Sequence, residues 1–270
     1  MVKTVLLCPP KFYQIEYEIN PWMDVKNRVD ANRAWEQYEN LKSIHKKIGL
    51  HIEEIESQKG LPDMVYAANH GFVIDDIFIK ANFRYKERRK EADFAEEYFR
   101  KKKFKIKKLP ENIYFEGRGD LFYADHKFFC GYGKRSQIDS ISYLQKILGG
   151  KVIPIEVNNP YYYHLDTCFA PLGGGSVVIF PNAFNKSDLE KIRINFRKVI
   201  ETDIEDNKLL CCNLVAVNGS VVVGQGISEK FRQDIEKEGF ELIEVPMDEF
   251  LKGGGSVKCL TLEYYKSREN

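Results

Sequence analysis

The chain has 270 residues, 43% of them hydrophobic, enough for one large domain or two small ones around a sizeable core. Its 41 basic residues nearly cancel its 40 acidic ones, so nothing in the charge points to nucleic acid or a membrane surface. No segment approaches the roughly 18 apolar residues of a membrane span, and the apolar stretch of MVKTVLLCPP is too short for a secretory signal, so the chain is expected in the cytosol.

Read in chain order, VKTVLLCPP forms a first strand, and a run of helix formers from Asp30 to Gly49 predicts a helix over about 30–48. GLHIEEI (49–55) reads as the strand after it. A strand pair, MVYAAN and DIFIKAN, then precedes a helix over about 86–103 and the strand FKIKKLP (104–110). The basic run at 100–108 is broken by Phe104 and Ile106, which fits a solvated helix end entering a strand better than a binding patch. IYFEG pairs with the stretch DLFYA–KFFCGYG, followed by a helix over 136–148 and the strand KVIPIEV (151–157). HLDTCFAPL and SVVIFP form the next pair, with LGGGS (172–176) as their turn. A helix over 187–198 and the strand 197–203 complete that unit. CCNLVAVNGSVVV carries a strong hairpin signal at Asn218-Gly219, before a helix over 228–239 and the strand FELIEVP (240–246). Ser136, Ser187 and Ser228 stand where N-caps of the last three helices belong. SVKCLTLEYY is a final strand.

Each unit thus reads strand, strand, helix, strand, and the last is split between the two ends of the chain. An ordinary two-domain α/β arrangement would leave this regularity a coincidence. The pattern instead predicts one domain over 1–270, a closed α/β ring of five units. Asn69, Glu116, His164, Cys212 and Cys259 recur at intervals of 47, 48, 48 and 47 residues, so each unit brings one position toward a common centre. Three of these residue types suit thiol-based hydrolysis: a nucleophile, a proton carrier and a carboxylate.

Cys259 follows Gly253-Gly254-Gly255-Ser256, a loop expected to expose the thiol at a cleft. His164 and Asp166 form His-Leu-Asp, placed by alternation on one face of a strand. Glu116 lies between apolar strands, where a carboxylate needs a partner such as His164 or a cationic ligand. Asp120 is a second ligand or a turn former. Arg88 and Arg135 are candidates to clamp a carboxylate bidentately, whereas Arg89 reads as a surface residue. Cys211 and Cys212 precede the apolar-rich run NLVAV and read as core. The six cysteines lack metal-site or disulfide spacing, so reduced thiols, no metal and no cofactor are expected.

Together, Ile19-Asn20-Pro21-Trp22-Met23, Leu61-Pro62-Asp63, Ala68-Asn69, Glu87-Arg88-Arg89, Phe115-Glu116-Gly117, Gly133-Lys134-Arg135-Ser136, His164-Leu165-Asp166 and Gly255-Ser256-Val257-Lys258-Cys259 resemble the guanidine-modifying penteins. These five-bladed α/β propellers include arginine deiminase, dimethylarginine dimethylaminohydrolase, amidinotransferases and bacterial arginine dihydrolase. The resemblance implies Cys259 as nucleophile, His164 as general acid/base, and Glu116 and Asp166 as guanidinium-binding carboxylates. It implies Arg88 and Arg135 as holders of a substrate α-carboxylate, and Asp63 as the contact for its amino end. Asn20 and Asp120 join the substrate contacts. The implied partner is a small guanidine compound, with a homo-oligomer possible for the chain. Deiminases have Asp at the position of Asn69, and dimethylargininases have Glu-Asp in place of Ala68-Asn69. Asn here, with the INPWM segment, resembles the dihydrolases, which take arginine to ornithine, ammonia and carbon dioxide. Deiminase, dimethylargininase and a non-catalytic amidine-binding propeller are the alternatives.

Overall fold

A computed structural model describes residues 2–157 and 159–266. Strand β1 (Val2–Leu7) leads through helix α1 (Ala31–Lys47) to β2 (His51–Glu54). The second unit comprises β3 (Gly71–Ile74), β4 (Ile77–Lys80), α2 (Glu91–Lys101) and β5 (Lys105–Lys107). The third comprises β6 (Leu121–Ala124), β7 (Lys127–Tyr132), α3 (Ser140–Leu148) and β8 (Val152–Glu156). The fourth comprises β9 (Phe169–Gly173), β10 (Ser176–Ile179), α4 (Lys186–Asn195) and β11 (Lys198–Glu201). After a short helix α5 (Ile204–Asn207), the fifth comprises β12 (Val215–Val217), β13 (Ser220–Gly224), α6 (Glu229–Lys237) and β14 (Glu241–Val245). Two further short helices, α7 (Asp248–Leu251) and α8 (Val257–Leu260), precede β15 (Leu262–Lys266).

The strands form five separate three-stranded sheets. In each, the middle strand runs antiparallel to one neighbour and parallel to the other; a helix carries the crossover to the third strand, and in all but the β15–β1 pair a tight hairpin joins the first two. The split unit is β15–β1–β2, with Leu6 opposite Leu262 and Val2 opposite Lys266. First strands of neighbouring blades touch: β15 meets β3, β6 meets β9, and β9 meets β12. Each helix packs on the strand that follows it. This is the five-bladed α/β propeller of the penteins.

Local chemistry explains the element ends. The Asp30 carboxylate accepts from the amides of Asn32 and Arg33 to start α1, and Ser228 accepts from Phe231 N to start α6. Asn218 and Gly219 both have positive φ, as a two-residue hairpin between β12 and β13 requires. On the inner face of α2, Phe99 stacks on Phe78 of β4 at 4.3 Å and meets Tyr264 of β15 edge-on, tying this helix to its own blade and to the split one. Truncating such a ring costs about 3–5 kcal/mol.

Several expectations are corrected. Ser187 is not a cap: Asn185 accepts from Asp188 N and starts α4. Ser136 stands four residues ahead of α3, and its hydroxyl is spent inside the protein. The expected strands MVYAAN, IYFEG and the start of HLDTCFAPL are mostly not strands. Their polar residues lie in or immediately before 3-10 turns at 62–65, 67–70, 117–119 and 165–167, and ladder pairing begins only afterwards. Phe115 retains a single bridge to Asn82. His164 and Asp166 therefore flank one residue of a tight turn and do not alternate along a strand. Likewise Cys259 lies in the single turn of α8, ahead of β15.

Candidate active site

The repeat places a polar residue just before the first strand of every blade. Asn69 precedes β3, Glu116 precedes β6, His164 precedes β9 and Cys259 precedes β15. The turns entering β3, β6, β9 and β15 pack on one another in sequence around one end of the ring. Side chains far apart in the chain therefore converge, and all are buried. Cys259 is 1% exposed, so the thiol is enclosed and not at an open cleft. The glycine run has a different purpose from the one expected. A Cβ on Gly253 or Gly255 would collide with the Tyr66 ring, and one on Gly254, at φ +85°, would meet Asn20 and the Tyr163 hydroxyl at 2.9 Å. The glycines let the protein close tightly around this loop.

Glu116 is the electrostatic hub. Its Oε2 accepts from His164 Nε2 at 2.7 Å and from Arg135 Nη1 at 3.0 Å, and its Oε1 accepts from Arg84 N at 3.1 Å. Burial alone would raise this carboxyl, but Arg135, then His164, outweigh it and hold Glu116 well below the usual range. Arg135 itself lies between the rings of Tyr85 and Tyr163, each 4.7 Å away, and donates to Ile19 O. Asp120 is spent on scaffolding. It accepts from the Ser136 hydroxyl at 2.6 Å and from Leu165 N at 3.0 Å, joining the Glu116 turn to the His164 turn. Burial pushes its carboxyl up to about 6.

Asn69 is oriented by its neighbours. Arg88 Nη1 donates to Asn69 Oδ1 at 3.0 Å, which turns the amide nitrogen toward His164 Nδ1, 3.5 Å away. An N–H aimed at Nδ1 leaves the ring proton of neutral His164 on Nε2, where Glu116 accepts it. Arg88 is held by Glu91 through Nε at 3.0 Å and Nη2 at 2.8 Å, and it lies 3.8 Å from Asp63. His70 Nε2 is 3.4 Å from Glu91 on the far side. Burial pushes Asp63 up to about 7 despite Arg88. One oxygen of Asp63 lacks a well-formed hydrogen bond, as does the Tyr17 hydroxyl beside it.

Cys259 Sγ donates to Asp166 Oδ2 at 3.3 Å, while Asp166 Oδ1 has no hydrogen-bond partner among the described residues. Burial pushes Asp166 up to about 7. Burial first, then the Asp166 charge, raises the Cys259 thiol. Asn20 lies at the roof: its Nδ2 donates to Gly253 O at 3.0 Å, and its Oδ1 accepts from Trp22 N at 2.9 Å. Trp22 Nε1 donates to Tyr161 O at 2.8 Å, latching this segment over the site. Arg89 stays at the surface, on Phe83 O and Arg84 O.

One residue at the site escaped the sequence reading. The fifth unit contributes Asn213, one position beyond the expected Cys212. Its Nδ2 donates to Cys259 Sγ at 3.1 Å. Cys211 and Cys212 are core, as expected. The available signal was a lone polar residue directly before LVAV, in the turn entering a first strand, as Asn69 is before β3.

A cavity of about 440 Å³ opens at the opposite, hairpin end of the ring, lined by Phe72, Arg118, Lys258 and Glu263 among others. There Lys3, Arg118 and Lys258 all pair with Glu263. None of the convergent residues above lines it.

The convergent cluster offers a thiol, an imidazole backed by a carboxylate, and two buried carboxyls, Asp63 and Asp166, each with one oxygen lacking a hydrogen-bond partner among the described residues. The family model "N,N dimethylarginine dimethylhydrolase, eukaryotic" matches residues 14–266. The bifunctional arginine dihydrolase/ornithine cyclodeaminase AgrE of Nostoc sp. is 37% identical over 95% of this chain, which spans only 37% of that relative's length. The N(G),N(G)-dimethylarginine dimethylaminohydrolase of Mycobacterium tuberculosis is 35% identical, with 96% of this chain and 85% of that protein covered. The product-bound N-terminal domain of ArgZ, an arginine dihydrolase from cyanobacteria, superposes with a TM-score of 0.95 at 33% identity, covering 98% of each chain. The chain belongs to the N,N-dimethylarginine dimethylhydrolase family of guanidine-modifying penteins, hydrolases that act on carbon–nitrogen bonds of linear amidines.

Proposed function

We propose that this chain is an arginine dihydrolase, converting L-arginine and two waters to ornithine, two ammonia and carbon dioxide. Cys259 thiolate attacks the guanidinium carbon, whose N–H groups are held by Asp166 and Glu116. His164 Nδ1, having taken up the proton that the Cys259 thiol gives up, donates it to the departing amine, leaving a thiouronium on sulfur. Water deprotonated by His164 attacks that carbon, and the thiolate leaves, giving a ureido group. The substrate carboxylate is assigned to Arg88 and Arg135, and its ammonium to Asp63. Because every one of these residues is buried, entry requires the protein around them to open.

The observation carrying the dihydrolase reading is the Asn69 amide. With its oxygen taken by Arg88, it offers the site only N–H. An N–H suits the carbonyl oxygen of a neutral ureido group, whereas Asp in its place would favour a guanidinium cation. The ureido intermediate is therefore retained for a second attack by Cys259. A second reading, dimethylargininase, rests on the family model and the Mycobacterium tuberculosis relative.

Incubation with L-arginine and, separately, with asymmetric dimethylarginine, followed by amino-acid and ammonia analysis, tests this. Ornithine with two equivalents of ammonia is expected. Accumulated citrulline from arginine would make the chain a deiminase, and from dimethylarginine alone a dimethylargininase. No turnover of any guanidine compound would leave a binding propeller.

A further inference from the structure

We propose that Asn213 is a further catalytic residue: its amide is the fixed hydrogen-bond donor that stabilises the Cys259 thiolate. This rests on Cys259 being the nucleophile. Asn213 is fully buried, and its amide is oriented from both ends. Its Oδ1 accepts from Ser256 N and from Cys259 N, both at 3.0 Å. An oxygen that holds two backbone donors cannot exchange places with the nitrogen, so Nδ2 must face Cys259 Sγ, at 3.1 Å, and Asp166 O, at 3.1 Å. The same oxygen that orients the amide also anchors both ends of the turn bearing the thiol. Donor and sulfur therefore move as one rigid unit.

The surroundings leave this donor a demanding task. Burial and Asp166 favour the neutral thiol, and the Asn213 amide and the Ser256 backbone oppose them. The adjacent cation, Lys258, is turned toward Glu263 at the opposite end of the ring and makes no hydrogen bond to the sulfur. Among the described residues, Asn213 is the one side chain donating a hydrogen bond to Sγ. A thiol accepts such a bond weakly and a thiolate strongly, so the contact gains strength as the sulfur ionises. The fifth blade, without a titratable residue at its slot, contributes in this way to the reacting atom.

The test reads the thiol without turnover. Cys259 is alkylated with iodoacetamide in substrate-free protein between pH 6 and 10, the adduct is located by peptide mass spectrometry, and the midpoint of the rate is followed. Two variants separate the roles. Asn213→Asp keeps an oxygen for both backbone amides and loses the N–H; Asn213→Ala loses both without adding charge. Both are expected to raise the midpoint by about one pH unit or more, as loss of a charge-assisted hydrogen bond predicts. A mere anchor would leave the Asp midpoint unchanged and lower only the melting temperature of the Ala variant. A rise in Asp alone would assign the effect to added charge. Either result overturns the proposal. If arginine proves not to be the substrate, the titration still reports on Asn213.

Discussion

Asp166→Asn should make the substrate-free protein more stable at alkaline pH while abolishing turnover. Asp166 is fully buried, one of its oxygens has no hydrogen-bond partner among the described residues, and its carboxyl is raised from 3.8 to about 7, chiefly by burial. A raised carboxyl keeps its proton longer in the folded chain than in the unfolded one. Its contribution to stability is thus fully present below pH 3.8 and is lost as pH rises through about 7. The interval from 3.8 to about 7 corresponds to a loss of about 4 kcal/mol at pH 8. The Asn amide has its own bonds to satisfy, so a gain of about 2–4 kcal/mol is expected, or about 4–8 °C in melting temperature. Scanning calorimetry of both proteins from pH 4 to 8, without ligand, measures it. The advantage of the variant should be small at pH 4 and grow to pH 8. Asp63, also raised to about 7, is unchanged in the variant, so the difference between the two proteins isolates Asp166. A variant less stable at pH 8, or a difference independent of pH, would refute the reasoning.

Three other outcomes follow from the same geometry. Asn69→Asp replaces an N–H donor by an acceptor facing His164 Nδ1, so product analysis should show citrulline rising at the expense of ornithine; an unchanged ornithine yield would remove Asn69 from the choice of reaction. Gly119→Ala puts a methyl into the Asn69 amide and within 3.2 Å of the His164 ring, which predicts a kcat at least about tenfold lower and a loss of about 1–3 kcal/mol in urea denaturation. Glu263→Gln leaves Lys3, Arg118 and Lys258 without their shared anion, and breaking this buried cluster should cost about 3–5 kcal/mol, read as a lower midpoint in the same denaturation.

The architecture was legible because helix and strand periods, turn signals and the near-equal spacing all agreed. Even the split blade could be read, since SVKCLTLEYY and VKTVLLCPP each lacked a local partner. What misled was the approach to each inner strand. Runs such as MVYAAN and IYFEG have strand composition, yet they carry the polar residue that must turn into the ring, so tight turns prevail over propensity there. The same effect hid Asn213. Blade length varies by a residue or two, so a strict period selects Cys212, and only the position relative to β12 identifies its neighbour. Burial was invisible as well. Glycines next to a nucleophile suggest access, but here their missing Cβ atoms admit Tyr66 and Tyr163.

Joining β15 to β1 means that Leu262 must find Leu6 across nearly the whole chain. Closing a loop of that length costs about 5 kcal/mol of chain entropy, and no return is obtained until both strands are in register. Cys259, the proposed nucleophile, sits immediately ahead of the closing strand. Assembly of the reactive centre is thus coupled to the slowest long-range pairing in the molecule, and an incompletely folded ring holds its thiol, imidazole and carboxylates apart. On the proposed chemistry, the protein stays silent until it is topologically finished.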